Sequence, residues 1–572
     1  MRFIFFSIIL FTSTLSGQSC DCDHLLADLE PNLFTTINGT ALNVQPGDVI
    51  CIPAGDYGGI QFENIRGTAA HPVTITNCGG QVRIQELRKS AFIIEESAHV
   101  RVLGNGDANI PYGILIEGAY GAGAAGVNIG KFSTALELAF MEIQDTSFAG
   151  ILGKTDPECE DFLSWRRAGY VLSDVTIHDN YIHDTGAEGI YLGYTGGYLV
   201  NSNVNCNGET VFGHWLENIS VHHNRLENIG WDGIQLNLVR SNGQIYDNTI
   251  ISYGSRDQPF QNFAFSIGGG SYEIFNNYVE NRPGGKGQGI QLLSAQSGSR
   301  IYNNVLVRPQ FHGIFIHNRH KFQEEDRGYF VANNTIIAPE ESGILYNTVI
   351  TEAEDATLVG TEQGHVPTFF MNNLIVDPGS RHEQFNNWKG FRENFIDFNN
   401  RATRDLARER MATNFFTRRM DTLCLVSAEN NDYRPGTDAS ALVDAGSNLV
   451  SEGILFDLNG VSRPYNQLFD IGAYEFEGTL LDTDCLVEED DSSDESGEAT
   501  LVYPNPASTT IRFSREVMET VMLQMYSQEG RLVRTTTYTL GQDFYIGNIP
   551  KGVYWVRLDF PELSELHKIV IE

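Results

Sequence analysis

One short pattern keeps returning through residues 173–347: alternating β-branched residues, an asparagine, a further apolar pair, then Gly-Ile-x-Leu. It reads Val175-Thr-Ile-His-Asp-Asn180-Tyr-Ile182 with Gly189-Ile-Tyr-Leu192, then Ile219-Ser-Val-His-His-Asn224-Arg-Leu226 with Gly233-Ile-Gln-Leu236. Further copies carry Asn248, Asn277 with Gly289-Ile-Gln-Leu292, Asn304 with Gly313-Ile-Phe-Ile316, and Asn334 with Gly343-Ile344. Successive asparagines lie 44, 24, 29, 27 and 30 residues apart. A period in this range, with two-residue alternation inside each unit and no helical periodicity, predicts a solenoid of short strands. One such coil cannot bury its own apolar residues. Val175, Ile177, Ile182, Ile190 and Leu192 become a core only when coils stack about 4.8 Å apart. The expected body is therefore an all-β, right-handed parallel β-helix, the hand following from the bias of parallel crossovers.

In such a coil the asparagine occupies the corner between two strands, where left-handed dihedrals are tolerated, and its amide can bond the asparagine of the next coil. The ladder is read as structural, and the glycine before each Ile-x-Leu is read as a turn residue.

Residues 1–19 read as a secretory signal peptide: Arg2, an apolar run over 3–11, then small residues to Gly17. Eight cysteines in an exported chain favour disulfides. Cys51 with Cys78, Cys159 with Cys206, and Cys424 with Cys485 would each staple neighbouring segments, leaving Cys20 with Cys22. A net charge of −35, from 38 basic against 73 acidic residues, excludes nucleic acid as a general partner. It leaves room for an anionic polysaccharide where a local basic patch or bound calcium offsets the field. The chain is expected to be a monomer.

The stretch Leu42-Asn-Val-Gln-Pro-Gly-Asp-Val-Ile50 followed by Ile52-Pro-Ala-Gly-Asp-Tyr57 resembles the N-terminal coil of pectin-lyase-like β-helices. Further on, Asp432-Tyr-Arg-Pro435, Asp457-Leu-Asn-Gly460, Arg463-Pro464 and Asp470-Ile-Gly-Ala-Tyr-Glu475 resemble the terminal segment of secreted bacterial right-handed β-helix proteins. That resemblance implies a β-helix with its N-terminal cap over residues 20–476. Asp457 and Asn459 are read as turn residues rather than calcium ligands. Residues 477–499 form an acidic linker, almost wholly acidic, Ser or Gly from 482 to 498. The remainder, 500–572, begins at Leu501-Val-Tyr-Pro-Asn-Pro506 and ends on Lys568-Ile-Val-Ile-Glu572. It resembles the C-terminal sorting domain of the type IX secretion system, a small β-sandwich. This implies handling by the type IX machinery, passage through the outer membrane, and release or surface attachment.

In-register stacking turns the repeat into columns. The residue before each glycine gives Glu188, Asp232, Gln288, His312 and Ser342. The position after the first isoleucine gives Tyr191, Gln235, Gln291, Phe315 and Leu345, and two further on stand Gly193, Asn237, Leu293, His317 and Asn347. Glu188 and Asp232 can share a proton, bind calcium, or act as the paired carboxylates of a glycosidase. His312 or Lys286 can serve as the base of a uronate lyase, with Arg240 or Arg319 meeting the carboxylate. Tyr191 and Trp231 offer faces for sugar stacking. Candidate catalytic residues are thus Glu188, Asp232, His312 and His317, and candidate substrate-binding residues Tyr191, Gln235, Asn237 and Gln291. The Asn-Lys-Ser and Arg-His-Gly signatures of chondroitinase-B-like and alginate lyases are missing. Two classes of function remain: an exported lyase or glycoside hydrolase acting on extracellular polysaccharide, or a non-catalytic surface adhesin.

Overall fold

The computed structural model describes residues 20–479 and 501–571, apart from 155, 160–168, 196–203, 294–297, 318–328, 350–356, 358–367, 380–390, 394–395, 399–403, 405–410, 438, 440, 504–506, 515–519, 528–530 and 561–563. The expected signal peptide, 1–19, and most of the expected linker, 477–499, lie outside these residues. Two long sheets, of 23 and 13 strands, wind through the body. One coil runs Val171–His178, Tyr181–His183 and Ile190–Leu192. The next, Trp215–His222, Arg225–Glu227 and Ile234–Asn237, lies parallel on it, with Val175 opposite Ile219, Ile182 opposite Leu226 and Ile190 opposite Ile234. The residues expected to point inward are fully buried and join one core that extends from Leu26 to Phe416. Among the described residues no helix is long and apolar enough to cross a membrane.

The asparagines stack as expected, and the column is longer than the repeat announced. Asn180 Nδ2 donates to Asn224 Oδ1 at 3.0 Å, and the same bond recurs from Asn224 to Asn248, Asn277, Asn304 and Asn334. It continues through Asn373 to Asn414, at 2.9 and 2.8 Å. Each oxygen also accepts the backbone N–H of the preceding asparagine, as Asn277 does from Asn248 at 3.0 Å. A buried amide is thereby satisfied on both sides.

Two local expectations are corrected. The left-handed corner residue is the one before each asparagine: Asp179, His223, Asp247, Asn276, Asn303, Asn333, Asn372 and Thr413 all have φ between 52° and 55°. That residue turns the chain and lets the asparagine point inward. Most of the repeated glycines stand at bends before their strands, but none takes the left-handed dihedral of a turn glycine. Gly189, Gly233 and Gly313 have no positive φ; a Cβ on Gly189 would stand 2.6 Å from the Gly233 carbonyl oxygen, and one on Gly313 2.6 Å from that of Gly343. Close coil-to-coil approach excludes a side chain there.

The cysteine pairing also differs. Cys20 bonds Cys78 and Cys22 bonds Cys51, while Cys159 bonds Cys206 as expected. The N-terminal segment runs beside the strand Val49–Tyr57, His24 opposite Ile50, which carries Cys22 to Cys51 and leaves Cys20 to reach Cys78. Cys424 is disulfide-bonded, and its expected partner Cys485 lies outside the described residues.

Coil strands end at Phe415–Thr417, short of Phe476. The segment beyond folds back along the flank: Asn333 Nδ2 donates to the Asp470 carbonyl at 3.0 Å and Asn303 Nδ2 to that of Phe456 at 2.8 Å. Asp457 is a turn residue, its oxygens accepting the N–H groups of Asn459, Val461 and Glu475. Buried Arg463 pairs with Glu475 at 2.7 Å and donates to the Asp470 and Gly472 carbonyls. From residue 501 onward, a three-stranded and a four-stranded antiparallel sheet enclose a separate core around Phe513, Leu523, Met525, Val556 and Ile569.

Candidate functional site

On the 13-stranded sheet, Tyr191, Gln235, Ser266, Gln291, Phe315, Leu345 and Asp397 stand in register as one column. Ser266 belongs to a coil absent from the motif reading, because Phe263-Ala-Phe-Ser-Ile267 replaces Gly-Ile-x-Leu. The 29 residues between Asn248 and Asn277 were its signal. Asn237 and His317 share a second column, separated by Gly268 and Leu293.

The predicted groove floor is covered. Tyr191, Gln235, Asn237, Gln291, His312 and His317 are all buried. Thr195, from the insertion after Tyr194, supplies the cover at one end: its hydroxyl accepts from Gln235 Nε2 at 2.7 Å and Asn237 Nδ2 at 3.3 Å, and bonds the Tyr191 hydroxyl. Lys154, from the preceding insertion, sits 4.8 Å from the Tyr191 ring centroid and binds Asp156 at 2.7 Å. The Cys159–Cys206 bridge ties the two insertions together.

Beneath this cover lie the two carboxyls. Glu188 and Asp232 occupy successive coils, the Gly189 N–H donating to the Asp232 carbonyl at 2.9 Å, and both are fully buried. Neither oxygen of Glu188 has a hydrogen-bond partner, whereas Asp232 Oδ1 accepts from the Phe263 N–H at 2.7 Å. Burial pushes Glu188 up to about 7, Lys154 pulling slightly the other way. Burial likewise raises Asp232 well above the usual carboxylate range, with Glu188 adding to the effect. The pair therefore holds protons at pH values where exposed carboxylates have lost them. The Phe148 ring lies 6.3 Å from that of Tyr191 and 6.1 Å from that of Trp231 between centroids. Calcium takes six to eight oxygen ligands, and two buried carboxyls alone do not supply such a cage. Among the described residues the one cluster of three close metal-type donors is Cys20, Cys22 and Cys78, all consumed in disulfides.

The histidines form a different cluster. His312 Nε2 lies 3.7 Å from Glu341 Oε2, and the Phe315 ring sits between His312 and His317, at 5.9 and 5.5 Å. Three coils separate His312 from Asp232, about 14 Å at the stacking repeat. The four candidate catalytic residues therefore do not form one constellation. Arg240 is on another face, paired with Glu217. Arg319 lies outside the described residues.

Residues 170–306 match the family model of the right handed beta helix region. Residues 501–572 match that of the secretion system C-terminal sorting domain. The tail is a sorting domain. The β-helix is thus cargo of the type IX system, destined for the cell surface or the extracellular space. No curated relative matches the chain in sequence. Among solved structures it is similar to an alginate lyase from Paenibacillus sp. str. FPU-7, at 15% identity over 53% of this chain and 95% of that one, TM-score 0.38. It is also similar to the pectate lyase Pel9A, at 12% over 78% and 97%, TM-score 0.39. A mannuronic acid specific polysaccharide family 6 lyase enzyme from human gut microbiota is a third, at 13% over 67% and 86%, TM-score 0.31.

Proposed function

We propose that the exported β-helix binds an extracellular polysaccharide over the Tyr191–Trp231 face and hydrolyses it, with Glu188 and Asp232 as the paired carboxyls, one donating a proton while the other is ionised. The observation that carries this reading is the Glu188 carboxyl, buried, without hydrogen-bond partners and held up to about 7. Glycoside hydrolysis needs one carboxyl protonated and a second ionised, and a neighbouring pair that burial raises and that repels a second charge can share one proton and meet both needs. Phe148, Tyr191 and Trp231 supply apolar faces for sugar rings, and Gln235, Asn237 and Thr195 supply hydrogen bonds for hydroxyls. The insertions carrying Lys154 and Thr195 must yield for substrate to enter.

The test is a polysaccharide panel, read for reducing ends and for unsaturated uronate absorbance. Hydrolysis predicts reducing ends without unsaturated product, and loss of roughly a hundredfold or more in rate for Glu188→Gln. Unsaturated product that depends on His312 would support the lyase reading instead, for which the His312–Glu341 pair is the motive. Binding without product would favour the adhesin, a reading that the complete burial of both carboxyls supports.

A further inference from the structure

The outer face of the sorting domain is not uniformly exposed. On the strand Gly552–Asp559, Tyr554, Val556 and Leu558 fill the domain's own core. Trp555 and Arg557 alternate with them and point the other way, yet they are 3% and 5% exposed. Met522, on the same face one strand over, is 43% exposed. Something therefore covers Trp555 locally. It is the β-helix: Trp555 packs in a cluster with Val376 from a coil strand and with Tyr433 and Tyr474 from the fold-back segment. Tyr526, directly across from Trp555, and Leu425, on the fold-back segment, lie half-buried at the edge of that cluster.

We propose that the sorting domain docks on the flank of the β-helix, with Trp555 as the anchor and the Tyr433–Tyr474 patch as its seat. A tryptophan is suited to this, since it buries about 150–250 Å² with little rotamer entropy to lose. The tether makes a modest patch sufficient. Covalent connection sets an effective concentration that reaches the millimolar range, so an intrinsic affinity of about 100 μM leaves roughly 90% of molecules docked. The acidic linker keeps the tail near, and the apolar patch decides where it rests. Release of the tail bares Tyr474 and its neighbours to solvent, so the flank is masked for as long as the domain stays docked.

Hydroxyl-radical footprinting of the full chain tests this at Trp555. In the wild type Trp555 should label far more slowly than Tyr545, which is exposed within the same domain. Leu425→Glu, placed on the fold-back side so that the sorting domain is untouched, should speed Trp555 labelling about tenfold, as expected for emptying a site that is roughly 90% occupied. Ala428→Glu, in the same cluster, should do the same and covers the case in which Leu425→Glu fails to fold. Labelling of Trp231, far along the helix, should stay unchanged in both. Wild-type Trp555 labelling as fast as Tyr545, or indifference of Trp555 to whichever charged variants fold, would overturn the docking.

Discussion

At the level of single side chains, hydrogen bonding divides the buried polar residues of the repeat into two groups. The ladder asparagines are satisfied from coil to coil, whereas Glu188 has no partner at all. Asn277→Ala should therefore be costly: it deletes the bonds to Asn304 and from Asn248, leaving two buried amides short of a partner. A loss of about 2–4 kcal/mol is expected from unsatisfied buried groups, measured as a shift of the urea midpoint. Glu188→Gln should do the opposite at alkaline pH. The native carboxyl titrates at about 7 against an ordinary 4.5, so the unfolded chain gives up its proton first. The native state is then penalised progressively as pH rises from about 4.5 to 7, by a total on the order of 3 kcal/mol. The glutamine variant should gain stability over wild type at pH 8 and lose that advantage by pH 4; equal stability differences at both would show that Glu188 is not held protonated. Asn180 and its equivalents were legible as a ladder because one residue type recurs. The left-handed corner was misplaced by one position because Asp179, His223, Asn276 and Thr413 share a backbone shape but not an identity.

At the level of coils and insertions, packing distance accounts for what recurs. Gly233→Ala would set a Cβ 2.6 Å from the Ala264 carbonyl oxygen. Overpacking of this kind costs about 1–3 kcal/mol, and Gly208, where an added Cβ meets nothing within 4 Å, marks a hairpin in which no such clash arises. The coil Phe263–Gly268 escaped the motif because Ala264 and Phe265 stand where the other coils have Gly-Ile, although the asparagine spacing had room for it. The insertions were visible as interruptions of the rhythm and the Cys159–Cys206 bridge between them was expected, but their placement over the sheet was not, since it depends on the contacts of Thr195 and Lys154. Replacing both of those cysteines by serine should loosen the cover. Amide hydrogen exchange at Tyr191 and Gln235 should rise while the Asn-ladder strands keep their protection; unchanged exchange would show that the bridge does not hold the cover in place.

For the whole molecule, the ends decide its fate outside the cell. Paired disulfides fasten the first coil, the fold-back segment lines the flank, and the sorting domain directs export. The fold-back path was hidden from the sequence because its bonds to Asn303 and Asn333 join residues more than 130 apart. Ending the chain at residue 480 should retain the protein in the periplasm with its helix intact, as cell fractionation and circular dichroism would report; normal surface delivery would refute the sorting role. The chemistry of the two buried carboxyls, Glu188 and Asp232, is directly measurable. Reducing-end release should be followed for the wild type, Glu188→Gln and Asp232→Asn across neutral and uronate polysaccharides. The prediction is release from at least one polymer by the wild type and a loss of about a hundredfold or more in both variants. Release that persists unchanged in both variants would contradict it.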